Sequence, residues 1–593
     1  MKSTLLSMRR LFRYVGKDKP KLFVALALTL MQTASMALNP FLIGLVMTEL
    51  YQNIQDIYAG VAGAAINFSY VFRVIVVIML FSTVVQGAAF LSNFILTGVV
   101  QQTSRCLRAD LAEKLNRLPM SFFDSHFQGD LLSRMTNDVD SISMAMQQSM
   151  LSLVMSVLSI LFSVIMMFVI SIKLGLIGLV IVPLSALMIM HWTRRSQQHF
   201  QKLQDDLGDM SSIVQETFTG FDVVKLYDKE EDYTQAFAEA NGRLAAAGLR
   251  ASMLSGFSNP TAGSLINIGY IAMSMIGAGM VLTNKLTVGS LQAATQYLWQ
   301  VFSPISQIAQ LMPPIQAAAA STVRVFSILD EKEERPETQT LVLPERVEGR
   351  VSFKDLRFGY TPDRMVIDGF SLDVEPGQTI AIVGPTGVGK TTIANLLQRF
   401  YEWESGSICI DGIDIQQMTR QQLRSLIGVV PQDPWLYHAT IEENLRFGKL
   451  DATHEQIVEA ANVSNVDSYI RRLENGYQTM LNSETSNISQ GQKQLMTIAR
   501  AILSDPPLLI LDEATSSVDT RLELLIQRTM RQAMEGRTSF VIAHRLSTIR
   551  EADVILVMRD GNIAEQGRHE ELLAKNGYYA DLYNSQFGGS LPE

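Results

Sequence analysis

Residues 379–392 read TIAIVGPTGVGKTT. An apolar run at 379–383 has the length and β-branched content of a buried strand. It stops at a glycine, and Gly384-Pro385-Thr386-Gly387-Val388-Gly389-Lys390-Thr391 then fits G-x-x-x-x-G-K-[ST]. The glycines let successive backbone N–H groups curl around phosphates. Lys390 reaches the outer phosphates, and Thr391 offers its hydroxyl to a magnesium ion. The following TTIANLLQRF, starting at Thr391 and Thr392, reads as a helix whose positive N-terminal end faces the anion.

The same texture continues on both sides. PLLILDEA and TSFVIAHR are further short apolar runs between helical patterns, as in a parallel α/β sheet. The first ends in Asp512 and Glu513. An acid at such a strand end holds magnesium directly or through water, and the next acid can polarise an attacking water. A positioned general base is worth about 10²–10⁴ in rate. This predicts an α/β P-loop domain over 351–585, joined by a charged linker over 326–350.

The first half is different. Of the 593 residues, 47% are hydrophobic, and they concentrate before residue 320. A bilayer needs about 20 apolar residues per helix. Six stretches qualify, at 22–47, 71–100, 150–171, 174–192, 255–282 and 289–315, giving a six-span helical membrane domain over 21–325. Pro40, Pro183, Pro260 and Pro304 predict kinks within them.

Residues 1–20 place Leu5, Met8, Leu11, Phe12 and Val15 on one helical face and Arg9, Arg10 and Arg13 on the other. That is an amphipathic helix for the membrane interface. Lys and Arg crowd the N-terminal segment and the loops after spans two and four, so both termini, those loops and the α/β domain are expected on the cytoplasmic side. A net charge of −9 argues against nucleic acid as a general partner. Cys106 and Cys409 are the only cysteines, too few and too distant for a disulfide framework.

The P-loop, Gln432 after GVVP, ISQGQ at 488–492, LLILDEATSSVD and VIAHR, in that order, resemble the ATP-binding cassette of ABC transporters. The six spans and the loop RLPMSFFDSHFQGDLLSRMTNDVD at 117–140 resemble the membrane domain of ABC exporters. The resemblance implies a half-exporter that hydrolyses ATP with Mg²⁺ in an inner membrane. It assigns Tyr360 to the adenine, Gln432 to Mg²⁺ and the attacking water, and Asp512 to Mg²⁺. Glu513 and His544 become catalytic, and Asp519 communicates across a dimer interface. Two segments, one beginning Phe122-Phe123-Asp124 and one at 216–227, are expected to couple cassette motion to the membrane.

In this family the signature loop, usually L-S-G-G-Q, completes the ATP site of the opposite subunit. Here it reads Ser489-Gln490-Gly491-Gln492. Glutamine at the central position is expected to crowd or re-aim the loop, because glycine accepts backbone angles that glutamine does not. With its own Lys390, Asp512, Glu513 and His544 in place, the chain resembles one subunit of a heterodimeric bacterial multidrug exporter. Its partner would then be a different half-transporter with a weakened Walker B acid. A homodimer that tolerates the substitution is the alternative.

Gln292, Gln296 and Gln300 fall at i, i+4 and i+8 in the sixth span and are expected to line a substrate cavity. Interhelical hydrogen bonding is the alternative. The Met-rich spans suit varied apolar ligands, so the expected cargo is small, hydrophobic and drug-like. A homodimeric lipid or lipopeptide flippase is the rival reading. An ATP-binding regulatory subunit that does not hydrolyse ATP belongs to a different class, and intact Glu513 argues against it.

Overall fold

The computed structural model describes residues 10–587 apart from 12, 336, 338–342, 345, 362, 482–487, 513–519 and 544–545. The chain forms two compact units. One comprises Met1–Arg117 and Phe127–Lys332, the other Leu118–His126 and Glu333–Glu593.

The first unit is helical. Its long helices are α1 (Lys19–Tyr58), α2 (Phe68–Leu115), α3 (Val139–Ile170), α4 (Ile172–Thr219), α5 (Glu230–Gly256), α6 (Ser258–Leu282), α7 (Val288–Gln300) and α8 (Phe302–Leu329). Among the described residues, five segments are long and apolar enough to cross a membrane: Lys19–Tyr58, Phe68–Leu115, Gln128–Ile170, Ile172–Thr219 and Glu230–Leu282. The sixth expected span covers α7 and the start of α8, where glutamines and a break at Val301 dilute the apolar run. Six spans remain compatible with this arrangement. At ~1.5 Å per residue, the 48 residues of α2 extend about 70 Å, more than twice the ~30 Å hydrocarbon layer.

The prolines act in two ways. Pro40 and Pro183 sit inside continuous helices. Pro260 and Pro304 instead start new ones, after breaks at Phe257 and Val301. A proline ring clashes with the carbonyl four residues back. Those residues are Gly256 and Gln300, where α5 and α7 end.

Small and hydroxylated residues knit the helices. Thr29 and Ser92 hydrogen-bond across α1 and α2 at 3.0 Å, and Ser92 also donates to the Ala25 carbonyl at 2.9 Å. The buried Tyr297 hydroxyl of α7 donates to the Ala37 carbonyl of α1. Such bonds hold helices together where no hydrophobic drive separates helix from lipid.

At the base of α3 a π-helical turn, Arg134–Asp138, buries Asp138. Its carboxylate accepts from Ser321 Oγ at 2.8 Å and from Arg324 Nε at 2.8 Å. The expected interfacial helix buries Leu11 and Val15. Its Arg10 pairs with Asp330, with Nη2 and Oδ1 2.8 Å apart, and lies 4.3 Å from the Phe326 ring centroid. Residues 1–9 and Phe12 lie outside the described residues.

The second unit contains the parallel sheet that the apolar runs predict. Its strand order is Asn562–Gly567, Val554–Arg559, Thr379–Val383, Thr538–Ile542, Leu508–Asp512, Ile427–Val430. All pairs are parallel except the edge strand Asn562–Gly567. A second sheet, Ile367–Val374, Val351–Phe358, Ser405–Ile410, Ile413–Asp414, is antiparallel. Phe353 and Phe370 of this sheet pack edge-on at 5.4 Å, and Phe353 meets Phe540 of the parallel sheet at 6.3 Å.

Candidate nucleotide site

The register of the parallel sheet gathers the expected site. Ile382 pairs with Ile542, and Ile542 pairs with Asp512. Asp512 therefore stands level with Ile382, two residues before the P-loop begins at Gly384. On the next strand Leu511 pairs with Val430, two residues before Gln432. The P-loop, Asp512 and Gln432 thus leave one edge of the sheet, the carboxyl end where α/β folds bind ligands.

The P-loop has the expected backbone. Gly387 and Gly389 hold φ of 83° and 108°, values that glycine alone adopts freely. Gly389 caps helix Lys390–Leu397. Lys390 is buried, and its Nζ donates to the carbonyls of Gly384 at 2.7 Å and Pro385 at 3.0 Å. Burial lowers the affinity of this amine for its proton, and the charge of Asp512 opposes that. A phosphate reaching the loop therefore meets a cation held by oxygens that bind it less strongly than an anion does. Pro385 and Thr386 are exposed and Val388 is half-buried, while Thr391 is exposed and Thr392 buried. Thr391, Gln432 and Asp512 supply a hydroxyl, an amide oxygen and a carboxylate, a hard-oxygen set that fits Mg²⁺ shared with phosphate.

Tyr360 is half-exposed. Its hydroxyl lies 3.1 Å from Thr392 Oγ1, just past the P-loop. The ring packs edge-on against Phe358 at 5.0 Å and Tyr401 at 5.1 Å. Tyr401 in turn donates its hydroxyl to the Asp124 carboxylate. Burial and that carboxylate both push the Tyr401 phenol well above its ordinary value. Asp124 ends the short helix Met120–Asp124 in one of the two expected coupling segments. Sequence reasoning missed Tyr401, because a lone tyrosine in RFYEW carries no motif. The other expected segment contains the helix Phe221–Leu226, and Phe218, Phe221, Leu226 and Tyr227 around it are exposed.

The signature segment corrects the backbone argument for Gln490. The residue opens helix Gln490–Ser504 and is not among the positive-φ positions. Its side chain is exposed, so no strain follows within this chain. Ser489 caps the helix by accepting from Gln492 N–H at 3.3 Å, and Gln492 Oε1 accepts from Ser489 N–H at 3.0 Å. This reciprocal cap fixes the loop without needing glycine at 490. Gly491 is buried. Glu513, Asp519 and His544 lie outside the described residues.

Arg500 of that helix donates to the Asn444 carbonyl at 2.6 Å, the Trp435 carbonyl at 2.9 Å and Asn444 Oδ1 at 2.8 Å. It ties the signature helix to Trp435 in the loop after Gln432 and to the helix Ile441–Arg446. Replacing Arg500 with alanine strands these acceptors, at about 2–3 kcal/mol. The expected result in denaturant unfolding of the full chain is a lower midpoint that Arg500→Lys does not restore, since one ammonium cannot span this fork.

Gln292, Gln296 and Gln300, expected to line a cavity, lie on α7. All three are half-buried. Gln292 Nε2 donates to Gln296 Oε1 at 3.3 Å, and Oε1 of Gln292 and of Gln300 is buried without a partner. A cavity of about 590 Å³ lies elsewhere, between α4, α6 and α8.

Comparison with known proteins agrees with this architecture. Residues 22–305 match the family model of the ABC transporter transmembrane region, and residues 367–516 match that of the ABC transporter cassette. A Mycobacterium bovis protein named fatty acid ABC transporter ATP-binding/permease protein is 46% identical, over 89% of this chain and 84% of the relative. An uncharacterized ABC transporter ATP-binding protein of Bacillus subtilis is 37% identical, over 99% and 95%. An ATP-dependent lipid A-core flippase of Legionella pneumophila is 33% identical, over 89% and 90%. The chain belongs to the ABC transporter family, as an exporter-type half-transporter that joins one membrane domain to one ATP-binding cassette.

Proposed function

We propose that this chain is half of a dimeric exporter that uses ATP hydrolysis to move small amphiphiles with an apolar, acyl or drug-like body out of the cytoplasmic leaflet. The observation that carries the reading is the alignment of the P-loop, Asp512 and Gln432 at one sheet edge in a chain that also carries long apolar helices. Acyl-bearing cargo is favoured over other drug-like molecules by the printed names of the mycobacterial and Legionella relatives.

In this reading Lys390 and the P-loop amides hold the β- and γ-phosphates. Thr391, Gln432 and Asp512 place Mg²⁺, which offsets phosphate charge. Glu513 orients the attacking water, His544 holds the γ-phosphate, and Tyr360 stacks on the adenine. Both termini and the cassette face the cytoplasm. ATP closes two cassettes, and hydrolysis reopens them.

The Tyr360–Tyr401–Asp124 contacts connect adenine occupancy to the 118–126 segment, which continues directly into α2 and the turn before α3. Tyr401→Phe keeps the ring but removes the bond to Asp124. Its expected effect is ATP turnover within about twofold of the unmodified transporter, with cargo moved per ATP falling at least threefold. Equal losses in both would assign Tyr401 to the nucleotide site itself.

We further propose that the partner is a different half-transporter. The support is the position of Gln490, exposed at the first turn of the helix whose N-terminus, in the family arrangement, faces the partner's nucleotide. An added side chain there narrows that site and leaves this chain's own P-loop untouched. Intact-complex mass of the tagged transporter from its native membrane tests this. Two different chains at one-to-one are expected, and two identical chains would overturn the unequal-site reading.

A further inference from the structure

The 590 Å³ cavity between α4, α6 and α8 falls within the roughly 300–1,000 Å³ range of small-molecule sites. One wall is Gln197, Gln201 and Gln204, which at i, i+4 and i+7 share a face of α4. Another part of the lining is a hydrogen-bonded row. Gln310 Nε2 donates to Ser306 Oγ at 3.3 Å, and Ser306 Oγ donates to Asn259 Oδ1 at 3.2 Å. Ile189, Ala309 and Met312 supply apolar surface. Among the described lining residues there is no Lys, Arg, Asp or Glu, although Arg194, Arg195, Lys202 and Asp205 belong to the same stretch of α4.

From this lining we infer that the cavity is a head-group site for uncharged, hydroxyl- or amide-bearing amphiphiles. This rests on the exporter reading and its orientation. The fourth span ends near residue 192, so Ile189 lies at the level of the acyl chains and Gln201 and Gln204 lie toward the cytoplasm. An amphiphile entering from the inner leaflet would place its chain against Ile189 and its head among the amides. Each amide both donates and accepts, which matches a hydroxyl, also a donor and an acceptor. An anionic head offers only acceptors and would shed its hydration with no cation to replace it. A carboxylic acid fits this lining only in its protonated form.

Trp192 adjoins the cavity wall and stacks on Phe257 at 5.7 Å, so its fluorescence reports occupancy. The experiment uses the assembled transporter in nanodiscs, titrated with a chain-brominated monoacylglycerol or a chain-brominated alkyl sulfate of equal length. Trp192→Phe identifies the quenching that arises here. The expected result is half-saturation by the monoacylglycerol at least tenfold below the alkyl sulfate. Gln201→Lys or Gln204→Lys, each at an exposed position, should narrow or reverse that ratio at least tenfold. Equal or tighter binding of the sulfate to the unmodified transporter, or a ratio unmoved by both lysines, would overturn the inference. If neither probe quenches Trp192 while ATP-driven export of an amphiphile is measured, this site is wrong and the exporter reading stands. If the binding pattern holds but no ATP-driven movement occurs, the exporter reading fails and the site stands.

Discussion

Replacing Lys390 with alanine lowers ATP turnover of the assembled transporter by at least about 10²-fold. The ammonium is buried and held at the loop by two carbonyls, so little reorganisation is needed when charge develops on the transferred phosphate. Removing one such preorganised donor costs about 10²–10³ in rate. The substitution also leaves the Gly384 and Pro385 carbonyls without that donor, at about 1–2 kcal/mol of cassette stability. Turnover and thermal midpoint must therefore be measured together. A small fall in midpoint with a large fall in turnover is the predicted pattern. Turnover within fivefold of the unmodified protein would remove Lys390 from the reaction.

Gly289→Leu prevents the membrane unit from packing. A Cβ at Gly289 would stand 1.7 Å from the Gly44 carbonyl oxygen and 2.3 Å from Thr48 Oγ1. A Cβ at Gly44 would stand 2.5 Å from the Gly289 carbonyl oxygen. The obstruction is largely backbone, so rotamer changes do not relieve it and α1 and α7 must separate. Separation also breaks the Tyr297–Ala37 hydrogen bond and the 3.2 Å contact between Thr48 and Thr287. Overpacking alone costs about 1–3 kcal/mol, and the lost bonds add to it. The expected outcome is loss of the monodisperse species in detergent, or a thermal midpoint at least 10 °C lower. Gly279→Leu is the control, because a Cβ there meets nothing within 4 Å. Equal behaviour of the two variants would refute the close crossing.

The parts of this molecule that were legible in the sequence are those where chemistry restricts residue type. A phosphate cradle needs glycines, lysine and a hydroxyl in fixed order, and the strand before it must be buried. A bilayer needs long uncharged runs, and the helices follow them closely. Other features depend on partners distant in sequence. Gln292, Gln296 and Gln300 share a face, but spacing does not say whether that face meets a cavity or a neighbouring helix. The glutamines facing a cavity, Gln197, Gln201 and Gln204, lie past the expected fourth span among charged residues, where no motif marks them. Tyr401 becomes informative only once the fold brings Tyr360 and Asp124 to it. At Gln490 the family pattern suggested a glycine-only backbone, whereas the Ser489–Gln492 cap makes position 490 an ordinary first-turn residue. Pro260 and Pro304 were read as kinks but mark helix starts, because each lies four residues past the end of the preceding helix.

The most direct test of the account is movement of cargo. The assembled transporter, reconstituted into vesicles with cassettes outward, is given Mg²⁺-ATP and a fluorescent monoacylglycerol in the cassette-facing leaflet. The account predicts ATP-dependent loss of the probe from that leaflet, absent without Mg²⁺ and absent in Lys390→Ala. Probe distribution that is the same with and without ATP, in a preparation that hydrolyses ATP, would contradict it.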